Sequence, residues 1–447
     1  MSLTKKFEKI FKSLLPAPFT IAVLLTFLTF LLAFFFTETE EKNHLLEIFS
    51  FWEKGVWDPK LLVFTIQMML MLVLGHVLAL SDSVNSIISY AVKGCGSTSK
   101  AAAIVTFFTI LVSLFNWGLG LIFGAIFAKK VAEHASINNI KINYPLIGAC
   151  GYSGLMVWHG GISGSAPIKV AESGHFLADQ IGVISQSETI FSTMNISVSI
   201  LLLIVLPVLM YIIGKKENEE KIVSIYEIKQ EKEISIVGAE KLDNSKFIAW
   251  IFGGSILFYA FYKAIILPEN ITLKVITPNY INLVLLAIGI IMHKNFKNFL
   301  GAVDNAIVGS SGILIQFPLY FGIMGIINQS GLTLLMSNFF INISNEITFP
   351  IFTFISAGIV NIFVPSGGGQ WAIQGPIIVE AATQLGVSIP KSIMALAYGD
   401  QLTNMLQPFW ALPLLGITGL KAKDILPYTL ILFIVGFSIF IFGLLFF

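Results

Sequence analysis

The residues able to do chemistry in this chain are few, and they cluster where apolar sequence is interrupted. Val364-Pro365-Ser366-Gly367-Gly368-Gly369-Gln370-Trp371 breaks a stretch that is otherwise apolar from 350 to 384. Glycines at such a break let a ligand approach bare backbone amides. The helical arm that follows turns its N-terminal N–H groups toward the same point, which is a ready site for an anion. Ser366 and Gln370 add side-chain partners, and Trp371 adds an apolar wall. A polar break of this kind inside hydrocarbon is costly without a ligand, although a close-packed glycine turn is the competing reading. Upstream, Phe115-Asn116-Trp117-Gly118-Leu119-Gly120 breaks the apolar stretch 101–133. Asn116 offers a donor and an acceptor there, either to a ligand or to the backbone of its own turn.

Two further segments carry candidates. Residues 151–165 hold five glycines together with Ser153, Trp158, His159, Ser163 and Ser165, a composition that predicts a broken helix. Its counterpart is Tyr398-Gly399-Asp400-Gln401-Leu402-Thr403-Asn404. Asp400 is a carboxylate inside a predicted span, and an acid in that position is a functional candidate by default. Asp400, Thr403, Asn404 and Asn361 read as an ion-coupling group for H⁺ or Na⁺, with Na⁺ positions near Asn116 and Asp400. His159 can titrate near neutral pH or hydrogen-bond a carboxylate. Lys169, just beyond the first broken helix, reads as a solvated lysine. His159-Gly160-Gly161 and Ser163-Gly164-Ser165 have an esterase-like look but lack the strand–turn–helix setting of a nucleophile elbow. No enzyme, cofactor or metal cluster is expected.

The elements that must position these residues follow from composition. The chain has 447 residues, 55% apolar and 12% charged, with formal net charge +1, and its mean hydropathy is +0.83. That is a polytopic membrane protein, and nucleic acid is not indicated as a partner. All 27 basic residues are lysines, so a bidentate arginine clamp on a carboxylate is absent. Cys95 and Cys150 imply no disulfide framework. The apolar run 17–36 is too long for a signal-peptide core and reads as a retained first helix. Further helices are predicted at 61–80, 146–165, 187–213, 247–267, 279–293, 306–330, 391–416 and 426–446.

An internal offset organises the rest. Asn116 and Asn361, Pro145 and Pro390, and Gly154 and Gly399 are each separated by 245 positions. Paired Gly/Pro breaks in two halves point to the binding site of a secondary transporter. The stretches 101–133 and 350–384 are then re-entrant helical hairpins, which places 20 lysines in the cytoplasm and 7 outside, as the positive-inside rule expects. Five crossings between the repeats make them inverted. The predicted fold is an all-α polytopic membrane protein with two inverted repeats, each carrying a re-entrant hairpin and a broken transmembrane helix. Its parts are an N-terminal helix and outer loop (1–60), a first repeat (61–213), a cytoplasmic charged linker (214–246), connecting helices (247–305) and a second repeat (306–447). The N-terminus is expected in the cytoplasm and the protein in the inner, cytoplasmic membrane.

Tyr152-Ser153-Gly154, Val157-Trp158-His159-Gly160-Gly161, Ser163-Gly164-Ser165 and the 364–371 string with Gln374-Gly375-Pro376 closely resemble the short-chain fatty acid transporter family of the AtoE type, over nearly the whole chain. The resemblance implies uptake of short-chain carboxylates such as butyrate or acetoacetate. More distantly, the two-hairpin layout resembles the ion transporter superfamily, which includes Na⁺-coupled dicarboxylate carriers. That likeness implies a homodimer with a scaffold and an elevator-like transport domain. Those carriers bind Na⁺ and a carboxylate at Ser-Asn-Thr tips, whereas this chain has Asn116-Trp117-Gly118 and Ser366-Gly367-Gly368. The resulting expectation is a cation-coupled carrier of short monocarboxylates. The carboxylate would be held at 366–371, with its acyl tail against Trp158 and Trp371. The rival readings are a Na⁺-coupled carrier of another small organic anion and a small-anion channel.

Overall fold

The computed structural model describes residues 18–38, 43–216, 238–268, 272–407 and 410–447. Lys5, Lys6, Lys9 and Lys12 and most of the charged linker, on which the orientation argument leans, lie outside the described residues. The helices run α1 Pro18–Phe36, α2 His44–Val56, α3 Pro59–Ala79, α4 Asp82–Val92, α5 Thr98–Phe115, α6 Trp117–Ile137, α7 Tyr144–Tyr152, α8 Ser165–Lys169, α9 Thr193–Lys216 and α10 Lys246–Phe261. They continue with α11 Pro278–His293, α12 Phe296–Ile307, α13 Ser311–Gln329, α14 Leu332–Ile343, α15 Phe349–Phe363, α16 Gly367–Leu385, α17 Ile389–Thr403, α18 Leu412–Thr418 and α19 Ala422–Phe446. Among the described residues, seven helices are long and apolar enough to cross a membrane. This is an all-helical, multi-pass membrane protein.

Both predicted hairpin breaks occur. Asn116 alone separates α5 from α6, and its side chain accepts from Leu119 N–H at 2.7 Å to cap α6. The two helices fold back on each other. A Cβ on Gly120 would lie 2.0 Å from Ser113 Oγ, and one on Gly124 would lie 2.9 Å from Thr109 Cγ2. Glycine is required at both positions because the helices touch there. The second break spans Val364 to Ser366, and Ser366 caps α16 by accepting from Gly369 N–H at 3.2 Å. Here the first arm leans away from its partner. α15 lies along α17, where a Cβ on Gly399 would sit 2.1 Å from the Phe354 carbonyl oxygen.

Local structure recurs at the 245-residue offset. α7 opens with an Asn143 cap and Pro145, and α17 opens with a Ser388 cap and Pro390. Proline suits the first turn because the N–H it lacks would have no helical partner. Gly154 meets Thr109 in one half and Gly399 meets Phe354 in the other, and each of these four residues is matched at that offset.

The two helix breaks differ. After α7 the chain runs through two short 3-10 turns, Ser153–Met156 and Trp158–Gly160, before α8. In the second half α17 is continuous through Thr403, so Asp400 sits within a helix and the break begins only at Asn404. The expectation of a break across 398–404 is corrected accordingly. No glycine follows Gly399 until Gly416, so nothing stops that helix earlier. The predicted helix 306–330 is also divided, with α12 ending at Ile307 and α13 starting at Ser311.

Candidate functional site

Backbone polar groups freed by a broken helix need partners where water is excluded. In this molecule the C-terminal end of α17 and the residue after it meet the break that follows α7. Gln401 Oε1 accepts from the N–H groups of His159 (2.9 Å) and Gly160 (3.1 Å). Asn404 Nδ2 donates to the Leu155 carbonyl at 3.3 Å, and the Tyr152 hydroxyl donates to the Asn404 carbonyl at 3.1 Å. Asn195 of α9 donates to the Gly160 carbonyl at 2.8 Å and is itself held by the Tyr398 hydroxyl at 3.0 Å.

At this junction His159 Nδ1 lies 2.7 Å from Asp400 Oδ2, and both side chains are buried, at 0% and 1% exposure. The other ring nitrogen decides the tautomer. Ala166 N–H donates to His159 Nε2 at 3.1 Å, so Nε2 carries a lone pair and Nδ1 carries the proton. The imidazole therefore donates to the carboxylate. Asp400 Oδ1 has no hydrogen-bond partner among the described residues, and neither has the buried Asn361 Oδ1. Asn361 Nδ2 donates to the Asp400 carbonyl (2.7 Å), Thr403 Oγ1 (2.9 Å) and Asn404 Oδ1 (3.1 Å). Asn361, Asp400, Thr403 and Asn404, picked out from sequence as one group, thus form one buried cluster. Gln407 joins it through Asn361 O (3.3 Å) and Asn404 Oδ1 (3.1 Å).

Beside this cluster is a narrow cleft, with a cavity volume of about 20 Å³. One wall is Met68 of α3 with Ile313 and Phe317 of α13. The other is Trp117, Leu155, Trp158, Ser165, the tip residues Ser366, Gly367 and Gly368, and Trp410. None of these lining residues is charged. The tip is pressed against the histidine, since a Cβ on Gly367 would lie 2.7 Å from His159 Cε1 and 2.8 Å from Trp158 Cη2. Gly368 meets Phe317 in the same way, and Gly369 meets Tyr320. The first two N–H groups of α16, on Gly367 and Gly368, have no place in the helical ladder and belong to residues that line the cleft.

The other predicted residues are distributed differently. Asn116 caps α6 and also reaches the Met71 carbonyl at 3.4 Å, so its side chain is committed to structure. Ser153 bonds back to the Cys150 carbonyl at 2.7 Å, and Ser163 accepts from Trp117 N–H at 2.9 Å. Gln370 donates to the Ala357 carbonyl and to Gln374. Trp371 is fully buried in a separate apolar cluster with Ala166, Val170 and Ile378 and lines no part of the cleft, which corrects its expected role as an acyl wall. Four residues make about one turn of α16, so Trp371 lies a turn beyond Gly367, where its ring is taken up by that second cluster. Lys169, expected in solvent, is 3% exposed and bonded to Glu172 and Gln67. Trp117 and Trp410 went unpredicted as site residues. Trp117 follows Asn116 at the first break, but which face of that turn meets the cleft is set by packing and not by any local pattern.

Comparison with known proteins bears on the family and the fold. A model of the short chain fatty acid transporter family matches residues 1–447. A Haemophilus influenzae protein named for short-chain fatty acid transport is 38% identical over 450 residues, covering 97% of this chain and 96% of the relative. An Escherichia coli protein of the same name is 36% identical over 437 residues, covering 96% of each. Among solved structures, the Alcanivorax borkumensis YdaH transporter superposes with TM-score 0.58 at 13% identity, over 95% of this chain and 98% of its own. Neisseria gonorrhoeae MtrF, described as illuminating a class of antimetabolite efflux pumps, gives TM-score 0.59 at 12% identity, over 99% and 97%. At those identities the likeness concerns the fold alone. The fold, the paired breaks and the full-length match converge: this chain belongs to the short-chain fatty acid transporter family, a family of membrane transporters and not of enzymes.

Proposed function

We propose that this protein is a secondary carrier of short-chain monocarboxylates of the butyrate and acetoacetate size, driven by a cation gradient through Asp400. The observation that carries the reading is the His159–Asp400 pair, buried directly behind the Gly367 tip and left with one unpartnered carboxylate oxygen. The substrate carboxylate would be held at the N-terminus of α16 by Ser366 and the amides of Gly367 and Gly368, with its short tail against Phe317, Trp158 and Trp117. Gly367 touches both His159 and Trp158, so a carboxylate at the tip and a cation at Asp400 would act on the same few side chains. That is the condition for coupling, in which each ligand changes the other's affinity equally.

Two coupling ions are chemically served. The Nδ1···Oδ2 contact offers a proton position. The unpartnered Asp400 Oδ1 and Asn361 Oδ1, with Thr403 Oγ1, are hard oxygens suited to Na⁺. The cleft lies between α3 and α13 on one side and the tips and breaks on the other, the boundary along which an elevator-type movement would slide. The reading also carries an inner-membrane location with a cytoplasmic N-terminus and, by analogy, a homodimer. The deciding experiment is labelled butyrate uptake into proteoliposomes under a Na⁺ gradient or a pH gradient imposed separately, with protein-free vesicles as the baseline. Accumulation under one gradient identifies the ion. Protein-dependent equilibration without accumulation would replace the carrier with a channel.

A further inference from the structure

The cleft raises a problem that the carrier reading leaves open. An anion brought into a low-dielectric site needs donors, and no lysine lines this one. The nearby Lys169 is already engaged by Glu172 and Gln67. Two amides at a helix start leave part of a carboxylate's four lone-pair positions unserved.

Three tryptophans line the cleft. The indole N–H of Trp410 is used, donating to the Pro365 carbonyl at 2.9 Å. Those of Trp117 and Trp158 are buried without any partner among the described residues. An indole N–H is a donor only, and a buried one usually finds an acceptor. The two rings stand beside each other, with centroids 5.6 Å apart and a 50° tilt. Neither is free to turn away. Trp117 is wedged edge-on against Trp410 at 5.2 Å, and Trp158 lies flat on His159 at 4.5 Å. Rigid donors left unpaired at a cleft lined by a free helix N-terminus are what a site for an oxygen-bearing ligand requires.

We propose that the indole N–H groups of Trp117 and Trp158 donate to the substrate's carboxylate oxygens, completing the shell that Ser366, Gly367 and Gly368 begin. Tryptophan then takes the part that arginine plays in chains that have it. Because Trp158 stacks on His159, the same contact ties substrate occupancy to the ring that holds Asp400. This inference rests on the carboxylate-carrier reading above.

The test is NMR of the full-length protein with ¹⁵N-labelled tryptophan, in nanodiscs, titrated with butyrate. The Trp117 and Trp158 indole N–H signals move downfield on saturation. Those of Trp410, already bonded, and Trp52, packed against Gly322 of α13 away from the cleft, stay in place. Trp117→Phe and Trp158→Phe, which keep a ring and remove the N–H, each raise KM for butyrate roughly tenfold while leaving the maximal rate within about twofold, the range of one charge-assisted hydrogen bond. Butyrate that binds and is transported with both indole signals unmoved overturns the inference and leaves the carrier reading standing. Wild-type protein that binds no monocarboxylate from acetate to hexanoate overturns the carrier reading, and the inference with it.

Discussion

Among the described residues two ion pairs lie away from solvent, and they are built in opposite ways. Lys169 and Glu172 lie three positions apart on one segment. Lys169 bonds Glu172 and Gln67, and both Glu172 oxygens are partnered, one by Lys169 and the other by Gln67 (2.7 Å) and Asn279 (3.4 Å). The ammonium also sits 5.2 Å above the Phe64 ring. His159 comes from the break after α7 and Asp400 from within α17, 241 residues away, and Asp400 keeps an oxygen with no partner among the described residues. The first pair is closed. Its opposite charges travel on one segment, so a displacement of that segment past α3 and α11 exchanges neutral amide contacts and separates no charge. The second pair is open, with one carboxylate oxygen left without a partner among the described residues. On the proposed reading the satisfied pair is structural and the pair with a missing partner is the working one, because an unpaired buried oxygen costs stability unless a ligand visits it.

Five substitutions, one of them a second-site rescue, would break or sharpen that contrast. The largest effect is expected for Asp400→Asn, which should reduce gradient-driven butyrate accumulation in proteoliposomes to that of protein-free vesicles with the fold intact; accumulation at the wild-type level would remove Asp400 from coupling. Next is Gly367→Ala, whose methyl would enter space held by His159 and Trp158. A displacement of that size at a reacting or binding centre is worth about a hundredfold in kcat/KM, read from initial uptake rates.

Lys169→Met attacks the closed pair. Removing one member of a buried pair costs about 3 kcal/mol, the low end of the usual range, because Glu172 is 17% exposed. A drop in Tm in detergent would show it, and Lys169→Met with Glu172→Gln should recover most of the loss because no charge is then stranded. Loss of cation coupling with Tm unchanged would show that the closed pair also works in transport, and the contrast would fail. The smallest effect belongs to the exposed Asp82–Lys294 pair, where Asp82→Asn should change stability by less than about 1 kcal/mol. Lys294 hydrogen-bonds the Asp82 carboxylate and holds its pKa below the ordinary value. That small contribution is therefore present above the ordinary carboxylate range and fades as pH falls through the lowered value.

The amino-acid sequence by itself determined the membrane class, the two hairpin breaks at Asn116 and at 364–366, the break after Tyr152 and the 245-residue correspondence. These are local matters. Glycine and proline end helices through their own backbone geometry, and a polar string inside hydrocarbon stands out from its neighbours. The short helices α2, α4 and α14 escaped notice because they are brief and not long enough to cross. Tertiary structure alone decided which side of each element met what. It placed His159 against Asp400, buried Lys169, turned Trp371 into a separate core and brought Trp117 and Trp410 to the cleft. Each of those outcomes depends on contacts between residues far apart in the chain, set by how helices from both halves pack, and no local pattern carries that information.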